Sequence, residues 1–177
     1  IPHIAWEPKS LQQVKDDAYL RNFARGLNAL GWPVFVRFAS EMNGYWTPWH
    51  GNPKLYKEKF RLIHRVLRRE APRVATIWCV NNPPLENIMS YYPGDDGCDW
   101  VGVNLYSVPF YENNPKRPAF SDTPLALLDP IYKMFAARKP IAICEYAASH
   151  QPALDKISRP EFATEKLSQL YGALPRI

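Results

Sequence analysis

Val34-Phe-Val-Arg-Phe-Ala-Ser-Glu-Met-Asn-Gly-Tyr-Trp-Thr-Pro-Trp49 is the stretch that decides the fold. Its first half, Val34 to Ser40, is mostly apolar and carries one charge, Arg37, so it reads as a buried parallel strand. Glu41 stands at the end of that strand. The segment Lys139-Pro-Ile-Ala-Ile-Cys-Glu-Tyr146 repeats the pattern, with an apolar run closing on Glu145. An amphipathic helical pattern precedes each run. A carboxylate at the C-terminal mouth of a barrel strand is where such folds place their chemistry. Two of them fit the paired carboxylates of glycoside hydrolysis. The plainer reading, a surface residue just past its strand, fits either glutamate taken alone.

Outward from these runs, strands and helices alternate, which argues for βα units and a parallel sheet. Strands are expected at 1–5, 34–40, 74–80, 100–105 and 141–144. Helices are expected at 11–30 with Leu20, Phe23, Leu27 and Leu30 inward, at 53–70, at 85–90, at 124–137 with Leu125, Leu128, Ile131 and Phe135 inward, and at 160–173 with Leu167, Leu170, Tyr171 and Leu174 inward. Gly31 caps the first helix. No internal repeat, low-complexity tract or linker interrupts the alternation.

The 177 residues are 46% hydrophobic and 22% charged, an ordinary globular composition, and enough chain to bury a substantial core. No run of about 18 apolar residues exists, so no membrane span is expected. The opening Ile1-Pro-His-Ile-Ala-Trp6 has no basic n-region of a signal peptide and reads as starting in mid-fold. Of the three cysteines, Cys79 and Cys144 lie in apolar strand runs and Cys98 in a loop. No two have metal-ligand spacing, so neither a disulfide framework nor a zinc site is read. The net charge of +5 gathers at Arg61, His64, Arg65, Arg68, Arg69 and Arg73. A phosphate-binding stripe is one reading. The other is a solvated helix face opposite Tyr56, Phe60, Ile63 and Leu67, and no nucleic-acid motif accompanies the charge.

Three further segments carry a resemblance. They are Glu41-Met-Asn-Gly-Tyr-Trp46, Tyr91-Tyr-Pro-Gly-Asp-Asp96 ahead of Asp99-Trp-Val-Gly-Val-Asn-Leu-Tyr106, and Lys139 to Tyr146. In this order and spacing they resemble glycoside hydrolase family 26, the β-mannanases and related endo-glycanases built on a (β/α)8 TIM barrel. Ile4-Ala-Trp-Glu-Pro8 is similar to that family's third-strand end, and the resemblance covers nearly the whole chain. It implies an α/β barrel of which this chain is the third to seventh βα units. Residues 1–177 would then form a single catalytic-type domain, incomplete at both ends. Such barrels take about 250 residues. Two more units would precede Ile1, and an eighth strand would follow Pro175-Arg-Ile177. The edges of the first and last strands are expected to be covered by further segments of the same protein or by a neighbouring chain. A pseudo-barrel completed by another copy is the alternative.

The resemblance also assigns roles. Glu41 is the acid/base and Glu145 the nucleophile of a retaining endo-glycanase, with their carboxyl groups about 5–5.5 Å apart. Trp46 lies against the sugar at the cleavage site, and Tyr106 hydrogen-bonds the nucleophile. Arg37 interrupts an apolar strand on the face that Glu41 follows, so it is expected to pair with one of the glutamates. Trp6 and Trp78 are candidate stacking rings for pyranose faces, with Trp78 alternatively a core residue, and Asn43 and the pair Asn81-Asn82 are candidate amides for substrate hydroxyls. Asp95-Asp96 reads as a turn pair, with no metal assigned. No cofactor is implied. The partner is a polysaccharide, β-mannan first, then xylan or mixed-linkage β-glucan, and the family implies a secreted or cell-surface location.

Two positions depart from the family pattern. Asn104 stands where the family usually has aspartate, and Ser40 where it normally has a histidine that contacts sugar hydroxyls. His50 or Asn43 is the candidate replacement for that contact. These departures support the alternative of an inactive barrel that binds polysaccharide or serves the cell wall.

Overall fold

A computed structural model of the chain describes residues 1–174. Among these, five parallel strands pair in sequence order: β1 (His3–Trp6), β2 (Val34–Phe38), β3 (Val74–Asn82), β4 (Trp100–Ser107) and β5 (Ile141–Ala148). Between them run α1 (Ala18–Ala29), α2 (Pro53–Glu70), the single turn α3 (Ile88–Tyr91) and α4 (Pro124–Phe135), and α5 (Pro160–Ala173) follows β5. The sheet curls into a half-barrel. The curl is visible in one contact: Phe35 of β2 and Trp100 of β4 meet edge to face across the inner face of β3, ring centroids 5.3 Å apart. β1 and β5 are the outer strands, each with one paired neighbour among the described residues. An eighth strand beyond Pro175-Arg-Ile177 lies outside the described residues.

Alternation along each strand sorts side chains into two layers. Val34, Val36 and Phe38 face the helices, where Phe38 packs against Phe60 of α2. Phe35 and Arg37 face inward. The same parity turns Trp6 outward, against Tyr19 and Phe23 of the α1 segment and against Phe38. Trp78 is likewise outward and fully buried, edge-on to Tyr92 and Phe135. Neither ring reaches the inner face, so the expectation that Trp6 stacks on sugars is corrected, and of the two readings of Trp78 the structure has the core one: both rings hold sheet to helices.

Helix boundaries follow their caps. The expected helix over 11–30 is split into a 3-10 turn at Leu11–Gln13 and α1. The break comes at Asp17, whose side chain takes the Leu20 N–H at 3.0 Å and restarts the helix. Leu30, Leu125, Leu167, Tyr171 and Leu174 are exposed rather than inward. In α1 and α4 the buried stripe instead runs through Leu20, Ala24 and Leu27, and through Leu127, Leu128, Ile131 and Phe135. α5 packs against α4 and β5, and Leu170 is the leucine it buries there. The strands also extend further than expected: β4 runs through Tyr106 and β5 through Glu145.

The basic face of α2 is engaged with its own fold. Arg61 reaches Asp96 and the Pro93 carbonyl, Arg68 pairs with Asp99, and Arg73 donates to Gly31 O. Asp95 takes the Tyr92 hydroxyl. His64 departs from its expected place in the basic stripe: it turns inward, its Nδ1 2.7 Å from Thr76 Oγ1.

Two outcomes are expected. Burial, the largest influence on His64, lowers its pKa and outweighs the opposing pull of Asp99, while Arg68 and Lys139 add to the lowering. The unfolded chain therefore binds this proton more readily. Stability is full above the unfolded value of about 6.5 and is lost as pH falls below it. Thermal melts between pH 8 and 5 should show that decline, and a His64→Gln variant should flatten it. Trp78→Ala should cost about 3–5 kcal/mol in urea denaturation, the range for emptying a large aromatic site.

Candidate active site

Arg37 is the point from which the site is built. It sits in the middle of β2, faces inward and is almost wholly buried, and such a charge must be paired or it costs several kcal/mol. One terminal nitrogen donates to Asn104 Oδ1 at 3.0 Å, and the other pairs with Glu145 Oε1. Asn104 passes the connection on: its Nδ2 donates to Glu41 Oε1 at 2.7 Å. The outer oxygens are met as well. Tyr106 Oη donates to Glu145 Oε2, and Trp46 Nε1 donates to Glu41 Oε2 at 2.7 Å. Glu145, Arg37, Asn104 and Glu41 thus form one hydrogen-bonded chain across the mouth of the half-barrel.

The backbone delivers the two carboxylates differently. After β2 the chain passes through Ala39 at φ 46° and Glu41 at φ 59°, left-handed values that cost a side-chain-bearing residue strain. The kink is held by hydrogen bonds from Ala39 N–H to Trp6 O at 3.0 Å and from Glu41 N–H to Cys79 O at 2.9 Å. A turn follows, with Gly44 N–H on Glu41 O at 2.8 Å. A Cβ at position 44 would overlap the Trp46 ring, so glycine is what lets that indole fold back onto Glu41. Glu145 instead lies within β5. The β4–β5 pairing skips Cys144, an irregularity that sets Glu145 opposite Asn104. Below it, a Cβ on Gly102 would come within 2.5 Å of Cys144 Sγ and 2.6 Å of Ile77, so only glycine fits the floor.

The environments differ electrically too. Burial, the largest influence on Glu145, pushes its pKa up, but the Tyr106 hydroxyl and the Arg37 charge together outweigh it and hold the carboxyl below its usual range. Glu145 is therefore an anion across the neutral range. Burial and the same hydrogen bond push the Tyr106 phenol well above its ordinary value, so it stays a donor. A cleft of about 880 Å³ opens beside Glu41, walled by Tyr45, Trp46, Tyr106, Tyr111 and the Pro83-Pro84 turn. That is within the size range of ligand-binding clefts. Tyr45 and Trp46 present 70% and 48% of their surface, edge to face, as open stacking rings.

Of the residues expected from sequence, Arg37, Glu41, Trp46, Tyr106 and Glu145 come together. Asn43 and Asn82 border the same cleft but make no hydrogen bond to the carboxylates. Asn43 is fully buried and ties two loops: its Nδ2 donates to Asn81 O and Pro84 O, and its Oδ1 takes the Asn81 N–H. Asn82 spends its amide on Leu127 O of α4. The expectation that both amides read sugar hydroxyls is therefore corrected; each is a structural tie. Ser40 is buried, and its Oγ has no partner. His50, proposed to replace the missing contact, lies by Met42 O at 3.1 Å and against Tyr91, though its edge still lines the cleft.

Two site residues were not assigned from sequence. Asn104 was flagged only as a departure, yet it is the link between the carboxylates; its signal was a polar residue at an inward position two before Tyr106. Glu7 follows β1 in the inward register, and the charges of Arg37, Glu41 and Glu145 all act on it. Burial, its largest influence, raises its pKa. The outward parity of Trp6 was the clue that the next residue faces the site.

The chain is similar to several known proteins. It is 28% identical over 163 residues to endoglucanase H of Acetivibrio thermocellus, which spans 82% of this chain and 18% of that protein. It is 29% identical to a β-1,3-xylanase of Alcaligenes sp., over 56% of this chain and 22% of that one. The chain thus spans about a fifth of the length of these curated relatives. Among solved structures, the catalytic domain of a GH26 endo-β-1,4-mannanase from Bacillus sp. JAMB-750 superposes with TM-score 0.69 at 22% identity, covering 92% of this chain and 47% of that domain. A β-D-glucuronidase of Dictyoglomus thermophilum superposes at 0.59 and 19% identity, covering 96% of this chain and 29% of that one. These two likenesses establish the barrel fold. The match to Glycosyl hydrolase family 26 extends over residues 8–122, well over half of the chain, and the chain belongs to that family.

Proposed function

We propose that this chain carries the catalytic carboxylates of a retaining endo-β-glycanase, acting on β-mannan first and on β-xylan or mixed-linkage β-glucan as the other candidates. The observation that carries the reading is the convergence of two strand-end glutamates on the Arg37–Asn104 pair beside an aromatic cleft. Glu145 is the nucleophile, because arginine and tyrosine donors hold it as an anion. Glu41 is the acid/base, because it borders the cleft and the exposed Trp46 ring.

In the first step a Glu145 oxygen bonds to the anomeric carbon as the glycosidic C–O bond breaks. The leaving oxygen takes the Glu41 proton. In the second step water gives a proton to the Glu41 carboxylate and its oxygen to the anomeric carbon, releasing Glu145. No cofactor enters either step. The strands are read as the third to seventh of the barrel, and residues 1–177 as part of one catalytic domain, secreted or at the cell surface. Among the described residues no helix is long and apolar enough to cross a membrane.

A second reading, a polysaccharide-binding barrel without activity, draws on Ser40. Its hydroxyl is buried and cannot replace a histidine that touches sugar. Release of reducing sugar from mannan, β-1,3- and β-1,4-xylan and mixed-linkage glucan by the intact protein separates the two; binding without release on all of them favours the second.

Glu145→Gln, which keeps an acceptor for Arg37, should abolish release while leaving the circular dichroism spectrum that of the parent. Glu145→Ala should abolish release too, but should lower the melting temperature because it strands the buried Arg37 charge. Glu41→Ala should retain turnover of an activated aryl glycoside, and azide should accelerate it to give the β-glycosyl azide. An α-azide from that variant would mean that azide attacks the substrate directly, and would overturn the acid/base role of Glu41. Tyr106→Phe removes a donor to the Glu145 anion, so the acid limb of kcat/KM should move to higher pH.

A further inference from the structure

Glu41 has two oxygens, each accepting one N–H, but the two donors are held with different firmness: Asn104 is buried, whereas Trp46 is half exposed. Arginine can only donate, so the Asn104 atom facing Arg37 must be the amide oxygen. The Cys79 S–H, 3.2 Å away, points at that same oxygen. The amide of Asn104 is therefore locked in one orientation, and the atom it turns to Glu41 is its NH2, which cannot accept. Reversing the amide would set two donors against each other at Arg37 and strand a buried charge.

We propose that Asn104, resting on the assignment of Glu41 as acid/base, is a positioning residue that commits Glu41 Oε1 to accepting and so directs the catalytic proton to Oε2. Oε2 is the oxygen that Trp46 Nε1 covers at 2.7 Å. An indole N–H is a donor only, and a protonated carboxyl oxygen accepts more weakly than an anionic one, so a proton on Oε2 weakens the Trp46 contact. Glu41 is loaded as an acid when the indole moves off, and the half-exposed Trp46 is the less firmly held of its two donors. A sugar seated on the Trp46 ring would draw the indole away and leave the proton facing the glycosidic oxygen. Substrate arrival and proton loading are thereby coupled through one side chain.

Other charges act on Glu41 from each packed element. Glu7 lies beyond β1, Arg37 on β2, Tyr106 on β4 and Glu145 on β5. Glu86, Glu112, Arg117 and His50 line the same cleft, with Arg117 tied to Glu112 at 2.6 Å. None of these groups hydrogen-bonds Glu41; Asn104 and Trp46 do.

The test is Asn104→Asp. Aspartate keeps an acceptor for Arg37 but turns a carboxylate oxygen toward Glu41 Oε1, and two facing carboxylates must share a proton. The alkaline limb of kcat/KM should therefore move up by about one pH unit or more. Trp46→Phe, which uncovers Oε2 while leaving Asn104 in place, should move it in the same direction. A readout free of turnover is the carboxyl carbon resonance of Glu41 in the intact protein labelled with 13C-glutamate. In Asn104→Asp it should titrate at higher pH than in the parent. A resonance that titrates at the same pH in both proteins overturns the proposal, whether or not either is active. If the resonance moves but the parent hydrolyses none of the polysaccharides, the proposed function fails while Asn104's hold on Glu41 stands.

Discussion

A buried guanidinium sets the terms for everything at the mouth of this half-barrel. Arg37 has lost nearly all contact with water in the middle of a strand, where an unpaired charge would cost several kcal/mol. The fold meets that demand from two other strands. Asn104 of β4 and Glu145 of β5 both turn inward at its level, and their spacing rests on the skipped residue Cys144 and on Gly102 beneath. The spacing of the two carboxylates is thus a by-product of satisfying one cation. A shift of β5 by a single residue would turn Glu145 to the helices and leave Arg37 with one neutral partner.

The two carboxylates are held with different firmness, in keeping with different tasks. Glu145 lies inside a paired strand, and arginine and tyrosine donors fix both of its oxygens. An attacking atom gains from such immobility, because misplacement by an ångström is costly in rate. Glu41 hangs from a kink of two left-handed residues and touches a partly exposed indole. In the proposed mechanism it must give up a proton and later take one back, which a fully locked carboxylate does poorly. Strain at Ala39 and Glu41 is tolerable because neighbouring strands clamp both amides.

Periodicity made the outline legible. Apolar runs of strand length alternating with 3.6-residue patterns were enough for the order of strands and long helices, and the segments around Glu41 and Glu145 were enough for the family. What periodicity could not supply was parity. Trp6 and Trp78 stand near strand ends, as stacking rings would, but a strand shows its faces by alternation, and both fall on the helix side with Phe38 and Phe135. Asn43 and Asn82 failed for another reason. An amide near a cleft is as useful for tying loops as for reading hydroxyls, and only the positions of Pro84 O and Leu127 O decide between them. Helix edges misled where a leucine on the expected stripe, such as Leu30 or Leu167, found no neighbour to cover it.

Ser40 and Asn104 were the two departures from the family pattern, and their environments separate them. Ser40 is sealed behind the kink, its carbonyl held by Trp49 Nε1 at 2.8 Å and its hydroxyl idle. A small residue there leaves the network around Arg37 untouched. Asn104 sits inside that network and changes its character. An aspartate would give Arg37 two acidic neighbours and set a third carboxylate against Glu41; the neutral amide gives Arg37 one acid and hands Glu41 a donor. In the proposed mechanism the substitution that looks milder by size is therefore the one that reaches the chemistry, because it replaces a charged group facing Glu41 by a neutral donor.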